Sequence, residues 1–315
     1  MTQASHPLIL AADEDGIARA TQHLLAGGLV ALPTETVYGL AARADRDDSV
    51  AAIYQAKGRP SFNPLIVHVG DVEGARQVAV FDGRAEQLAA AFWPGPLTMV
   101  LPLHAEAGLA PAVTAGLSTV AVRYPVHPVM RQVLQRSGVP LAAPSANRSG
   151  GVSPTCAQHV AQSLGTAVDL ILDGGPCEAG VESTIVALRE AGTWQVLRPG
   201  PITMIQLERV LGASSTKAAS IGIEAPGQLA SHYAPGKPMR LDALDRRTDE
   251  FLIGFGVVDG DFQLSAAADL MEAATNLYAA LHQAAGAYQS RIAVAPIPEE
   301  GMGIAINDRL RRAAA

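Results

Sequence analysis

No apolar run in this 315-residue chain approaches the ~18 residues that a membrane-crossing helix needs. Its start, Met1-Thr2-Gln3-Ala4-Ser5-His6-Pro7, lacks the basic opening and apolar core of an export signal, so a soluble cytoplasmic protein with no membrane partner is expected. Cysteine is nearly absent. Cys156 and Cys177 are too few for a disulfide framework and stand at no zinc-binding spacing, so both are expected to be packing residues, and no residue is assigned to a metal. Charged side chains make up only 17% of the chain and the net charge is -7, which argues against a surface that wraps nucleic acid. Several familiar signatures are missing as well. There is no Gly-x-x-x-x-Gly-Lys-Ser/Thr phosphate loop, no His-Glu-x-x-His and no Gly-x-Ser-x-Gly elbow, and Gly254-Phe255-Gly256-Val257-Val258-Asp259 lacks the third glycine of a dinucleotide fingerprint.

What is present is a 49% hydrophobic sequence in which short apolar runs are interleaved with helical patterns. Runs at 29–32, 65–69, 98–103, 119–122, 141–143, 170–172 and 184–188 read as strands, and 13–26, 49–56, 85–92, 128–136 and 156–164 as helices. Some connections are too short for a helical crossover, so the class is α/β with a mixed sheet. Periodicity fails around 212–240, where Gly212-Ala213-Ser214-Ser215-Thr216-Lys217 and Ala234-Pro235-Gly236-Lys237-Pro238 read as an extended linker. The expected layout is a large domain at 1–211, a linker at 212–240 and a small parallel α/β unit at 241–315.

Lys57-Gly58-Arg59-Pro60-Ser61-Phe62-Asn63-Pro64-Leu65 carries no acid, is stiffened by two prolines and a glycine, and leads into an apolar strand. Lys supplies a point charge, Arg a planar fork and Asn an amide, a set that suits a polyphosphate; a solvated basic turn fits the spacing equally well. Arg123 ends the run 119–122, and Ser145 and Asn147 follow the run 141–143. Ser149, Gly150, Gly151 and Ser153 continue toward a helix, an arrangement that serves either as an anion site or as a self-capping turn. Ser183 lies in the polar turn Glu182-Ser183-Thr184, and Arg198 closes Trp194-Gln195-Val196-Leu197. An isolated arginine at such an end is more often a surface ion pair. His68, inside an apolar run, is either a satisfied histidine or a base.

Taken together, Pro33 to Leu40, Lys57 to Leu65, Trp93-Pro94-Gly95-Pro96-Leu97-Thr98, Ala143 to Gly150 and Glu182-Ser183-Thr184 closely resemble the threonylcarbamoyl-AMP synthase family. Ser231-His232-Tyr233-Ala234-Pro235 and Glu299-Glu300-Gly301-Met302-Gly303 resemble its longer, two-domain form. The resemblance implies an open, twisted YrdC-like α/β catalytic domain and a small Rossmann-like C-terminal domain. It also implies a reaction, in which L-threonine, bicarbonate and ATP become L-threonylcarbamoyl-AMP and pyrophosphate with Mg²⁺ assisting. The product would feed a tRNA-modifying threonylcarbamoyl transferase complex, and direct RNA contact is left open. By the family pattern Thr36, His68, Arg123, Ala143 and Ser183 would face threonine. Arg59, Asn63, Thr119, Ser145, Ser153, Arg198 and Tyr233 would face ATP, with Lys57 near the phosphates and Lys57 and Arg59 carrying the catalytic charge.

Catalysis of this kind rests on positioning and charge neutralisation. A carbamate is unstable in water, so the linker bearing Tyr233 is expected to close over the cleft. Two rivals remain: a carbamoyl-adenylate-forming carbamoyltransferase, whose relatives usually bring cysteine-rich zinc segments, and a non-enzymatic module for tRNA or duplex RNA, against which the net charge counts. The central expectation is geometric: Arg59, Arg123 and Arg198 should converge on one hollow.

Overall fold

The computed structural model describes residues 7–213, 223–229 and 231–315; residues 1–6, and 214–222 and 230 of the expected linker, lie outside the described residues. Two sheets organise the rest. The larger has strands β1 (Leu8–Ala11), β2 (Val30–Leu32), β3 (Gly39–Arg43), β4 (Ile66–His68), β5 (Leu97–Pro102), β6 (Thr119–Arg123), β7 (Leu141–Ala142), β8 (Leu170–Asp173), β9 (Thr184–Leu188) and β10 (Trp194–Arg198). Their order is β1-β8-β2-β3-β7-β4-β6-β5-β9-β10. Pairs such as β4 with β6 are parallel while β3 with β7 and β9 with β10 are antiparallel, so the sheet is mixed as expected. The smaller sheet, β11 (Met239–Arg240), β12 (Glu250–Gly254), β13 (Phe262–Gln263) and β14 (Arg291–Val294), runs β11-β14-β12-β13 and is parallel throughout. It draws Met239 and Arg240 of the expected linker into its edge.

Helices α1 (Glu14–Leu25), α2 (Asp47–Lys57), α3 (Val72–Val78), α4 (Gly83–Phe92), α5 (Pro111–Thr114), α6 (Pro128–Ser137), α7 (Ala157–Leu164) and α8 (Met204–Leu211) accompany the first sheet, and α9 (Leu270–Gly286) and α10 (Gly303–Ala314) the second. Their starts follow from capping. Asp13 accepts from the Gly16 N–H, Asp269 from those of Met271 and Glu272, and Thr203 forms a capping box with Gln206, each supplying partners to amides that a first turn leaves unpaired.

Alternation along the central strands sorts their side chains onto two faces. Val67 of β4, Val120 and Val122 of β6 and Val186 of β9 join the main core with Ile53, Leu88, Val160 and Leu207 of the helices. The opposite face carries Ile66, Ala121, Ile185 and Ala187, and Ala225 of the linker packs on it. His68, Arg123 and Ser183 stand two residues along from Ile66, Ala121 and Ile185, so they continue this second face. The expected position of the polar residues, at strand tips, is therefore only half the description: they occupy the end of one sheet face, and the linker covers it.

Candidate active site

Helix α2 ends where Gly58 takes the left-handed conformation, φ 60°, which releases the chain into the proline-stiffened loop. Lys57 is buried, and its Nζ donates to the carbonyls of Ser145 and Asn147, both at 2.5 Å, tying this loop to the one after β7. Arg59 Nη2 donates to Asn63 Oδ1 at 2.7 Å and to Pro64 O at 2.8 Å. Arg198, at the end of β10, donates to Ser183 O and Ser183 Oγ, both at 3.1 Å. No salt bridge links any of these three cations to a carboxylate among the described residues.

Arg59, Arg123 and Arg198 do line one cleft. Thr36, His68, Ala143, Ser145 and Ser183 line it too, and Pro226, Gly227, His232 and Tyr233 of the linker roof it. Four of the expected site residues lie outside this lining. Lys57 is spent on two carbonyls, Asn63 on Arg59, and Ser153 on Glu182, whose Oε1 it reaches at 2.5 Å. Thr119 is at the opposite end of β6 from Arg123, paired with Pro102.

Arg123 is less free than a carboxylate-binding role suggests. Its Nη2 donates to Glu35 at 2.5 Å, its Nη1 to Thr36 Oγ1 at 3.0 Å and its Nε to Gly95 O at 3.4 Å, using three of the guanidinium's five N–H donors. Glu35 Oε2 and His68 Nδ1 are buried without a hydrogen-bond partner among the described residues. Both are features of a site waiting for a polar ligand rather than of a finished core.

Burial shapes the electrostatics of Lys57, Arg59, His68 and His232. It holds the Lys57 ammonium well below its usual pKa, with Arg59 adding to the effect, and lowers Arg59 to about 10. Burial, followed by the charge on Arg123, pushes His68 down to about 3, so its ring is neutral at pH 7. His232 is lowered to about 4, again chiefly by burial. A histidine that the fold keeps neutral is protonated first in the unfolded chain, at about 6.5. The contribution of these two rings to stability should therefore be constant above that pH and fall as pH drops from 6.5 toward 4, by about 1.4 kcal/mol per pH unit for each ring. Urea midpoints at pH 7.0 and 5.0 check this, and His68→Asn should remove that ring's share of the slope.

The sequence reading missed Glu182, Arg309 and Tyr278, which meet beneath the roof. Glu182 was visible only as a neighbour of Ser183; Arg309, on a helix rich in arginine, offers no local sign that it alone turns inward.

The site is a buried, cation-lined cleft in a mixed α/β domain, roofed by the linker to a small parallel α/β domain. A family model described as telomere recombination, covering Sua5, YciO and YrdC, matches residues 22–208, and one described as the threonylcarbamoyl-AMP synthase C-terminal domain matches 202–315. The threonylcarbamoyl-AMP synthase of Bacillus subtilis is 40% identical over 97% of this chain and 94% of its own, and that of Pyrococcus abyssi 39% identical over 91% and 90%. The crystal structure of P. abyssi Sua5 complexed with L-threonine superposes with a TM-score of 0.86 at 36% identity, covering 98% of this chain and 97% of that one. This chain belongs to the threonylcarbamoyl-AMP synthase family, in its two-domain form.

Proposed function

We propose that this chain is a nucleotidyltransferase that converts L-threonine, bicarbonate and ATP into L-threonylcarbamoyl-AMP and pyrophosphate, in support of tRNA threonylcarbamoyladenosine formation. One observation carries the reading: Lys57, Arg59 and Arg198 are buried, close enough that Arg59 and Arg198 share a cleft, and bonded to carbonyls and hydroxyls rather than to acids. Buried charge without a counter-charge is costly, and a triphosphate would supply the missing anion. Arg59, Ser145 and Arg198 would meet ATP, while Lys57 would act from behind, holding the Ser145 and Asn147 loop in place and adding positive potential.

Threonine would occupy the part of the cleft bounded by Thr36, His68, Arg123, Ala143 and Ser183. Its carboxylate would take the N–H donors that Arg123 does not spend on Glu35, Thr36 and Gly95. The neutral ring of His68 would meet the substrate through its unpartnered Nδ1. With a pKa near 3 that ring is too weak a base to store the amine proton, which is better released to water or bicarbonate. Bicarbonate that takes up that proton loses water to give CO₂, the free amine adds to it with release of its second proton to water, and the carbamate oxygen displaces pyrophosphate from the α-phosphorus in line. Mg²⁺ would be brought in by ATP: Glu182 is bonded at both oxygens, to Ser153 and to Arg309 and Tyr278, and of Glu35 only Oε2 is without a partner.

The test is incubation with ATP, bicarbonate and each of several labelled amino acids, followed by measurement of pyrophosphate and acyl-AMP. Release with threonine but not with valine is expected. Turnover with carbamoyl phosphate in place of threonine and bicarbonate would support the carbamoyltransferase instead, and salt-sensitive RNA binding with no ATP turnover the RNA module.

A further inference from the structure

Arg309, on α10 of the small domain, is 0% exposed yet fully charged. Its Nε donates to Glu182 Oε2 at 2.9 Å, its Nη2 to Pro199 O at 2.9 Å and its Nη1 to Asp308 Oδ2 at 2.7 Å. The Tyr278 hydroxyl, from α9, donates to the same Glu182 oxygen at 2.8 Å, and Ser153 fills the other. Glu182 belongs to the large domain and lines the cleft beside Arg198. No bond joins Glu182 to Arg198, whose donors go to Ser183 and Pro226.

Opposite charges on one buried wall would ordinarily pair. A carboxylate left to itself beside Arg198 would occupy that guanidinium and repel a phosphate. A second cation approaching from behind removes both effects. We infer that Arg309 is a positioning residue lent by the small domain: by satisfying Glu182 from outside the cleft, it keeps Arg198 available to a phosphate group. Burial alone would raise the Glu182 carboxyl, but Arg309 and then Arg198 outweigh it and hold it at about 2, so the carboxylate is ionised and needs such a partner.

The same residues carry the roof. The Arg309 guanidinium lies 5.4 Å from the Tyr233 ring centroid, and Tyr278 stacks on that ring at 5.7 Å. Tyr233 needs this support, since its φ of 65° is a left-handed conformation that costs a tyrosine free energy. The small domain thus reaches the chemistry through two contacts, one electrostatic at Glu182 and one packed against Tyr233.

The inference rests on the cleft being the ATP site, and the unmodified full-length chain is assayed first: if it makes no acyl-AMP, the functional reading falls before any variant is made. With activity established, Arg309→Met should raise the KM for ATP about tenfold or more while the KM for threonine stays within about twofold, because Arg123 is held by a separate set of partners. Arg309→Lys should retain most of the ATP affinity. The double variant Arg309→Met with Glu182→Gln, which removes both charges, should recover most of the loss. Equal movement of both KM values, or no recovery in the double variant, would show a role limited to fold integrity and overturn the proposal. Should Arg309→Met not fold, Glu182→Gln alone decides: with the carboxylate already satisfied by Arg309, ATP binding measured by calorimetry should stay within about twofold, and a larger change in either direction overturns the proposal.

Discussion

Arg198→Met should lower kcat/KM for ATP by about two to three orders of magnitude, while the ligand-free protein unfolds at nearly the same urea concentration. The two halves of this result have one cause. Arg198 is buried and its donors reach Ser183 O, Ser183 Oγ and Pro226 O, none of which carries a charge. Breaking a buried ion pair costs about 3–5 kcal/mol because a charge is stranded. Here no charge is stranded by the substitution, and the lost hydrogen bonds are offset by relief from burying a guanidinium. The cation is retained at the expense of the empty fold, which is the signature of a site built for a ligand. Pyrophosphate release and urea titration on the same preparation check both halves. A large loss of stability with activity preserved would make Arg198 a structural residue.

Gly227→Val should reduce acyl-AMP formed per ATP consumed by about ten- to a hundredfold, with ATP hydrolysis persisting. Gly227 roofs the cleft with φ 88°, a left-handed conformation that a β-branched residue strongly resists. A Cβ there would also stand 2.9 Å from Arg198 Cδ and 3.0 Å from the Tyr233 hydroxyl. Neither neighbour yields easily: Arg198 is fixed by three acceptors and Tyr233 is packed between Tyr278, Arg309 and His232. The linker must therefore lift, and water then enters the cleft and takes the carbamate's place at the α-phosphorus, so that ATP is split to AMP and pyrophosphate with no acyl-AMP formed. Measuring the ratio of product to ATP consumed separates this from simple loss of catalysis, which leaves the ratio unchanged. An unaltered ratio would remove the lid role of the linker.

Much of the fold follows from local pattern. The apolar run Thr184 to Leu188 is β9 residue for residue, and helices such as α6 and α7 fall within a residue or so of their periodic stretches. Other elements gave no such signal. β3 lies in a block of small residues, Gly39-Leu40-Ala41-Ala42-Arg43, that is buried on both sides and so shows no alternation. β1 has a mostly exposed run at the sheet edge and pairs with β8, far along the chain, which no local window reports. α9 begins at Leu270 because Asp269 caps it there.

The site divides along the same line. Residue types, order and charge singled out Arg59, His68, Arg123, Ser145, Ser183 and Arg198 as candidates, because ligand chemistry demands particular side chains, and the family resemblance added Thr36. Partnership was not written there. That Lys57 faces two carbonyls rather than the cleft, that Arg123 is shared with Glu35, and that Arg309 comes from another domain to hold Glu182 all depend on long-range approach. Burial and distance decide whether a charge is spent on the fold or kept for a ligand, and both arise only when segments 88 to 127 residues apart are packed together.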